Sequence, residues 1–357
     1  MNDSSTLILG NHQTGKTRNI LFNEISKKIN DKESFVILDI HGDYYNHFAK
    51  QFKDNGYRIN VINLNNANKS DGWNPLSYPY FLMHEELKSY DLAVEQLENM
   101  AKEIFYEEKE EDPFWRTMCE NLFVGLSLLL IRMSKNNDDH KIAYFPTIML
   151  LLNIAEKRID DTTVMRKYLE SLEATDPVYI ALSPIFFAPA ETKGSIMAVF
   201  KMKMNQYMLR KDLVSSMLYN SYSEARIEDG KTVVFIQDIP NRLTNIIISQ
   251  CFTEAFRTKQ KVNFILDEFD QLPKFLNLED RINQARKSNV SIYLTAINNS
   301  LIEKKYKDFI VDKTITLDDI YKTDYTDEEI EYIGDPFKVS YEEGYSDKLL
   351  EWLLELI

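Results

Sequence analysis

The sequence predicts an α/β fold, a parallel-rich sheet bearing a phosphate-binding loop and interrupted by an all-helical insertion. Three observations carry that prediction. The apolar run STLILG (5–10) passes straight into GNHQTGKT, Gly10–Thr17, which fits G-x-x-x-x-G-K-[ST] and opens a helix. Six further apolar runs with strand character alternate with helical stretches, the pattern of a parallel sheet. Between residues 79 and 182 the sequence is helical throughout, so the strands fall into two groups.

The elements follow in order. After the first strand, a helix runs from Lys16 to about Ile29. SFVILD (34–39) is a second strand, an amphipathic helix covers Tyr44–Asn55 and stops at Gly56, and YRINVINL (57–64) is a third strand. Helices are expected over Glu85–Tyr106, Phe114–Met133, Pro146–Ala155 and Thr162–Glu173, with polar linkers at 107–113 and 134–141. Strands return at KTVVFIQD (231–238), KVNFILD (261–267), VSIYLTAI (290–297) and KTITL (313–317). The expected organisation is therefore a nucleotide-binding domain in two parts, 1–78 and 186–320. An all-α insertion occupies 79–185, and an acidic C-terminal segment occupies 321–357.

Composition narrows the chemistry. The 357 residues are 44% hydrophobic and 27% charged, enough for a sizeable core and unlike a disordered chain. Only Cys119 and Cys251 occur, which excludes a disulfide framework and a thiolate zinc site. The five histidines never take His-x-x-x-His spacing, so a histidine metal site has no support. The longest apolar run, Leu122–Ile131, is about half of what a membrane span needs. The chain as given reads as cytoplasmic. Its net charge of −14 is uneven: residues 317–357 carry −10, leaving −4 for the rest. A nearly neutral body with an acidic tail is compatible with a nucleic-acid partner.

The loop and one later motif form a site on chemical grounds. Gly10, Asn11, His12, Gln13, Thr14, Gly15, Lys16 and Thr17 form the nucleotide-binding loop, in which the backbone N–H groups from Asn11 to Lys16, at a helix N-terminus, cradle an anionic phosphate. Lys16 neutralises the β- and γ-phosphates of ATP, and the Thr17 hydroxyl ligates Mg²⁺. In KVNFILDEFDQL an apolar strand ends in Asp267 and Glu268, at the edge that faces nucleotide in such a sheet. Asp267 is expected to hold Mg²⁺ through a water, and Glu268 to take the proton of the attacking water. An isolated Asp-Glu is more often a solvated pair; the upstream loop is what gives this one a role. In ATPases that use a catalytic Glu, a strand such as VSIYLTAI lies between the loop strand and the acidic strand, and a polar sensor is expected at its end, here Asn298 or Asn299. Arg286, just before that strand, reads equally as a helix-terminal arginine or as a finger for a neighbouring subunit's γ-phosphate.

The motifs taken together resemble the type IV secretion coupling proteins, the DNA-pumping ATPases of conjugation. DGWNPLSY (71–78) resembles that family's Asn-Pro-Leu segment, and residues 39–64 its Asp-Pro-Lys-Gly segment with the following strand, although Asp39-Ile40-His41-Gly42 lacks the lysine. DPFWRTMCENLFVGL (112–126) is similar to its Asp-x-Phe-Trp helix, ETKGSIMAVF (191–200) to its return into the nucleotide-binding domain, and LDEFDQLPKF (266–275) to its acidic motif. The family's sensor glutamine falls near Ile297.

The resemblance implies a RecA-like motor working as a homo-hexamer, with nucleotide at subunit interfaces and Arg286 as the finger. It implies ATP and Mg²⁺ as cofactors, and as partners DNA (single-stranded, with a relaxase or other secretion substrate) and the secretion channel at the cytoplasmic face of the membrane. The acid-free run holding Lys193, Lys201, Lys203, Arg210 and Lys211, with Tyr207 interleaved for base stacking, is the expected DNA contact. Two other functions fit the same residues: a double-strand DNA pump of the septal or archaeal kind, and a receptor for secreted proteins that uses ATP as a switch. The apolar end of the acidic tail, Leu349–Ile357, is expected to dock on a surface.

Overall fold

Five-residue runs with every side chain buried, such as Ser34–Leu38 and Val262–Leu266, can only lie inside a sheet covered on both faces. The computed structural model describes residues 4–11, 14–84, 89–109, 112–135, 143–218, 226–227, 230–237, 241–306, 310–317 and 345–355. They fall into two units: Met1–Asp71 with Ser221–Pro336, and Gly72–Asn220 with Phe337–Ile357.

In chain order, β1 (Ser5–Leu9) leads through the phosphate loop into a π-helical turn (Lys16–Leu21) that continues as α1 (Phe22–Asn30). Then come β2 (Ser34–Leu38), α2 (Asp43–Asp54) and β3 (Arg58–Asn63). The second unit supplies α3 (Ser77–His84), α4 (Tyr90–Phe105), α5 (Pro113–Lys135), α6 (Thr147–Ala155), the two-residue strands β4 (Arg158–Ile159) and β5 (Thr162–Thr163), α7 (Val164–Glu170), α8 (Pro177–Phe186), α9 (Ala190–Met208) and α10 (Lys211–Met217). The first unit resumes with β6 (Thr232–Gln237), α11 (Arg242–Arg257), β7 (Val262–Leu266), α12 (Leu278–Ala285), β8 (Val290–Ala296), α13 (Asn299–Lys305) and β9 (Lys313–Thr316). The last helix, α14 (Tyr345–Glu355), belongs with the helical unit.

The seven-stranded sheet has the order β3-β6-β2-β7-β8-β1-β9, with every pairing parallel. β8 therefore lies between the acidic strand β7 and the loop strand β1, as the sequence predicts. Parallel strands put all their carboxyl ends on one edge, so the turns after β1, β2, β7 and β8 converge there. One face is packed by an aromatic cluster in which Phe52 meets Phe35 and Tyr57 edge-on, at centroid distances of 5.2 and 4.9 Å. Such pairs contribute about 0.5–1.5 kcal/mol each beyond the area they bury.

Three expectations are corrected. The helix expected from Glu85 begins at Tyr90, after a separate α3. Thr162–Glu173 opens on a strand, and its helix covers only Val164–Glu170. The unit boundaries lie at 71/72 and 220/221 instead of 78/79 and 185/186, because α9 belongs with the helices. Its Phe200 stacks on Phe105 of α4 at 5.3 Å, and the Cys119 thiol of α5 reaches the Ile196 carbonyl at 3.8 Å.

Within the helical unit, α5 is the central element, packed by α4, α6, α8 and α9. Its stretch Pro113–Ser134 is long and apolar enough to cross a membrane, yet most of its apolar part is buried inside the protein, as a core helix would be. Gly125 permits the close approach of α8, since a Cβ there would lie 2.5 Å from Leu182. The C-terminal helix docks within the same unit: Leu349 and Leu353 are fully buried, and α14 packs on α6 and α7. Residues 321–344, 356 and 357 of the acidic segment lie outside the described residues.

Candidate nucleotide site

Gly10 ends β1 with its amide donating to the Ala296 carbonyl of β8 at 3.2 Å, which ties the root of the loop to the sheet. The Thr14 hydroxyl closes the loop onto the Asn11 carbonyl at 2.9 Å. Gly15 sits at φ 86°, where a side chain would be strained and a Cβ would collide with Asn19. His12 and Gln13, two of the expected loop contacts, lie outside the described residues. The helix then starts with a π turn, a form that recurs at functional sites. Lys16 lies against its own loop, with Nζ donating to the Gly10 carbonyl and, at 3.0 Å, to that of Asn11. Partial burial lowers its pKa, while the nearby charges of Asp267, Asp270 and Glu268 oppose that shift.

The acidic pair meets the loop across 250 positions of sequence. Thr17 Oγ1 donates to Asp267 Oδ2 at 2.8 Å. The Tyr44 hydroxyl donates to the same oxygen at 2.8 Å, and the Thr295 hydroxyl and Glu268 amide donate to Oδ1, the latter at 3.1 Å. Glu268 adopts the left-handed conformation at φ 50°, unusual for a residue with a side chain and typical of places where function over-rides backbone preference. Its amide is held by Thr295 Oγ1 at 2.8 Å. Its Oε2 accepts from Gln271 Nε2 at 2.6 Å and lies 3.2 Å from His41 Nε2. His41 stands where the resembled family has a lysine.

Asp39, at the end of β2, is buried and accepts the amides of Tyr44 and Tyr45 at 3.0 and 2.9 Å. Burial pushes its pKa up to about 6, although those two hydrogen bonds and one from Gln237 favour the charged form. Asp39 thus fixes the first turn of α2. Gly42, at φ 82°, makes the bend that precedes it.

The sensor expectation is corrected. Asn298 caps α13, its Oδ1 accepting the Leu301 amide at 3.2 Å and the Ser300 hydroxyl at 2.6 Å. Asn299 Nδ2 donates to Glu303 Oε1 at 2.6 Å. At Ile297 only the backbone takes part, its amide donating to Asp270 Oδ2 at 3.2 Å. The polar group that β8 delivers is Thr295, completely buried within the strand. A polar residue inside an otherwise apolar buried run is the signal that could have found it; Tyr44 gave no such signal, because its hydroxyl is aimed by a turn.

Arg286 lies at the amino edge of the sheet. Its Nε donates to Asp312 Oδ1 at 2.7 Å, and its other nitrogens reach Asn283 Oδ1 at 2.7 Å and the Ile310 carbonyl at 3.3 Å. The second oxygen of Asp312 accepts the amides and hydroxyls of Ser4 and Ser5 at 2.7–3.1 Å. β1 separates this cluster from the phosphate loop by about 17 Å, five residues at roughly 3.3 Å each, so Arg286 takes no part in its own subunit's site. Hydrogen bonds from Ser4, Arg286 and Ser5 hold the Asp312 carboxyl well below its usual value of 3.8 against the opposing effect of burial. The stability it contributes is present above that value and is lost as acid reaches the lowered one.

In the helical unit, the side chains of the basic run differ in their surroundings. Lys193 pairs with Glu156 at 3.3 Å and Lys203 with Glu107 at 2.6 Å. Tyr207 is buried, with its ring 6.1 Å from Phe145, and offers no face to a base. Lys201 is half-buried, whereas Arg210 and Lys211, at the junction of α9 and α10, are exposed beside Leu209.

Residues 8–316 match the model of the family described as type IV secretory system conjugative DNA transfer. No curated protein matches the chain in sequence. Among solved structures, a bacterial conjugative coupling protein, TrwBdeltaN70, matches with a TM-score of 0.57 at 14% identity, over 85% of this chain and 64% of that one. The plasmid coupling protein TrwB in complex with ADP and Mg²⁺ matches with a TM-score of 0.55 at 15% identity, over 85% and 65%. VirB4 of Thermoanaerobacter pseudethanolicus matches with a TM-score of 0.52 at 15% identity, over 88% and 76%. The chain thus spans just under two thirds of the length of these coupling-protein structures. What the chain shares with these structures is the fold, an α/β architecture built on a parallel sheet.

Proposed function

The chain belongs to the type IV secretory system conjugative DNA transfer family, and from that premise we propose that it is an ATP-hydrolysing motor that moves DNA to a secretion channel. One observation carries the reading. The loop hydroxyl Thr17 and the carboxylate of Asp267 stand 2.8 Å apart, with Glu268 next in the chain. Two hard oxygen donors beside a phosphate cradle suit Mg²⁺, which commonly takes one or two protein groups and completes its shell with phosphates and water. When bound, the ion offsets charge on the phosphates. Lys16 and the loop amides hold the phosphate chain. Glu268, clamped through Oε2, keeps its other oxygen for the proton of the attacking water.

The finer reading is a homo-hexamer at the cytoplasmic face of the membrane, fed with relaxase-linked single-stranded DNA. In such a ring Arg286 of one subunit would serve the nucleotide of the next, which requires it to leave Asp312. DNA contact is assigned to the exposed pair Arg210 and Lys211 with half-buried Lys201, since Lys193 and Lys203 are already neutralised.

Comparing ATPase rates with and without single-stranded DNA, and with duplex of equal length, tests the motor. Stimulation by single strands is expected; none by either DNA would leave the protein-receptor reading, and preference for duplex would favour a double-strand pump. Affinity for single-stranded DNA should fall with salt by about 0.7 log units per log unit for each phosphate contact. Arg210→Ala with Lys211→Ala should flatten that slope by roughly 1.4 if both touch phosphate. An unchanged slope in a fluorescence-anisotropy titration would move the DNA path elsewhere.

A further inference from the structure

We propose that Tyr44 is a positioning residue for the carboxylate that faces the cation, holding Asp267 so that a single acceptor direction is left for the metal side. This rests on the nucleotide reading given above. A carboxylate offers about four acceptor directions. Here Oδ1 takes the Thr295 hydroxyl and the Glu268 amide, and Oδ2 takes the hydroxyls of Tyr44 and Thr17, each at 2.8 Å. Three of these donors are fixed by the fold. Thr295 is buried within β8, the amide belongs to the adjoining residue, and Tyr44 is only 2% exposed. Thr17 alone has a role elsewhere, since its hydroxyl also serves the cation. A hydroxyl can ligate through a lone pair while still donating; should the Thr17 proton turn away from Asp267, the direction it frees on Oδ2 would be the single open one, on the side of the phosphate loop.

The fold goes to some length to deliver this phenol. Asp39 pins the first turn of α2 through the Tyr44 and Tyr45 amides, and the Tyr44 ring packs edge-on against Phe22 at 5.3 Å. Without the hydroxyl, Oδ2 would have two open directions and one restraint fewer.

Tyr44→Phe keeps the ring and removes only the donor. Binding of a fluorescent ADP analogue is measured in EDTA and across a Mg²⁺ titration, with thermal unfolding to confirm the fold. The Mg²⁺ midpoint is expected to rise about tenfold or more, the least that losing a hydrogen bond to a charged group should produce, while affinity in EDTA stays within about twofold of wild type. Thr295→Val, which loses the donor on Oδ1, should move the midpoint in the same direction. A wild-type midpoint in Tyr44→Phe would overturn the proposal. So would an equal loss of affinity with and without Mg²⁺, the mark of a merely structural role. If wild-type protein binds no nucleotide, the nucleotide reading itself fails, and this inference with it.

Discussion

Glu268→Gln is expected to bind ATP·Mg²⁺ as tightly as wild type and to hydrolyse it at least about a hundredfold more slowly. The amide is nearly isosteric, and it can still accept from Gln271 and His41, but it cannot take a proton; general bases contribute about 10²–10⁴ in rate. Lys16→Ala makes the complementary prediction. It should lose most nucleotide affinity, because no other cation of the described loop lies against the Gly10 and Asn11 carbonyls. Calorimetry and steady-state turnover on the two variants separate binding from chemistry. Full turnover in Glu268→Gln would remove that residue from the mechanism. Unchanged affinity in Lys16→Ala would misplace the whole site.

Mixing Arg286→Ala with Glu268→Gln is the second large effect. If a site draws its base from one subunit and its arginine from the next, each variant alone is inactive, yet a mixed ring contains some interfaces with both groups intact. An arginine finger contributes about 10³-fold or more in phosphoryl-transfer systems, so even partial rescue stands far above either background. The clasp on Asp312 sets the alternative. Should Arg286 act only as a brace at the amino edge of the sheet, Arg286→Ala would lower the unfolding temperature and no mixture would regain activity. Co-assembly of the mixture, shown by native mass measurement, makes absence of rescue decisive.

Much of this molecule follows from local sequence, and the reason is short range. The phosphate loop is a strand end, a glycine at positive φ and a helix start, all within thirteen residues from Ser5 to Thr17, and no distant contact is needed to specify it. Asp267 and Glu268 follow a fully buried strand, so their place on the carboxyl edge comes with the parallel topology. That β8 is a strand can be read from its own residues; its place between β7 and β1 is expected only from the arrangement of ATPases with a catalytic Glu.

Tertiary structure decided what depends on partners far along the chain. Lys193 and Lys203 stand in an acid-free run, but Glu156 and Glu107 reach them from other elements, so local charge did not measure surface charge. Asn298 looked poised at a strand end, and the start of α13 used its oxygen as a cap. Residues 191–200 resemble a return into the nucleotide-binding domain, yet the buried face of the helix that holds them is met by α4 and α5, which only packing could arbitrate. Tyr44 and Thr295 reach Asp267 across 223 and 28 positions. Hydrogen-bond donors are common in any sequence. Which of them turn inward onto one carboxylate is fixed by strand order and a helix entry angle, and neither quantity is written in the neighbours of the residue concerned.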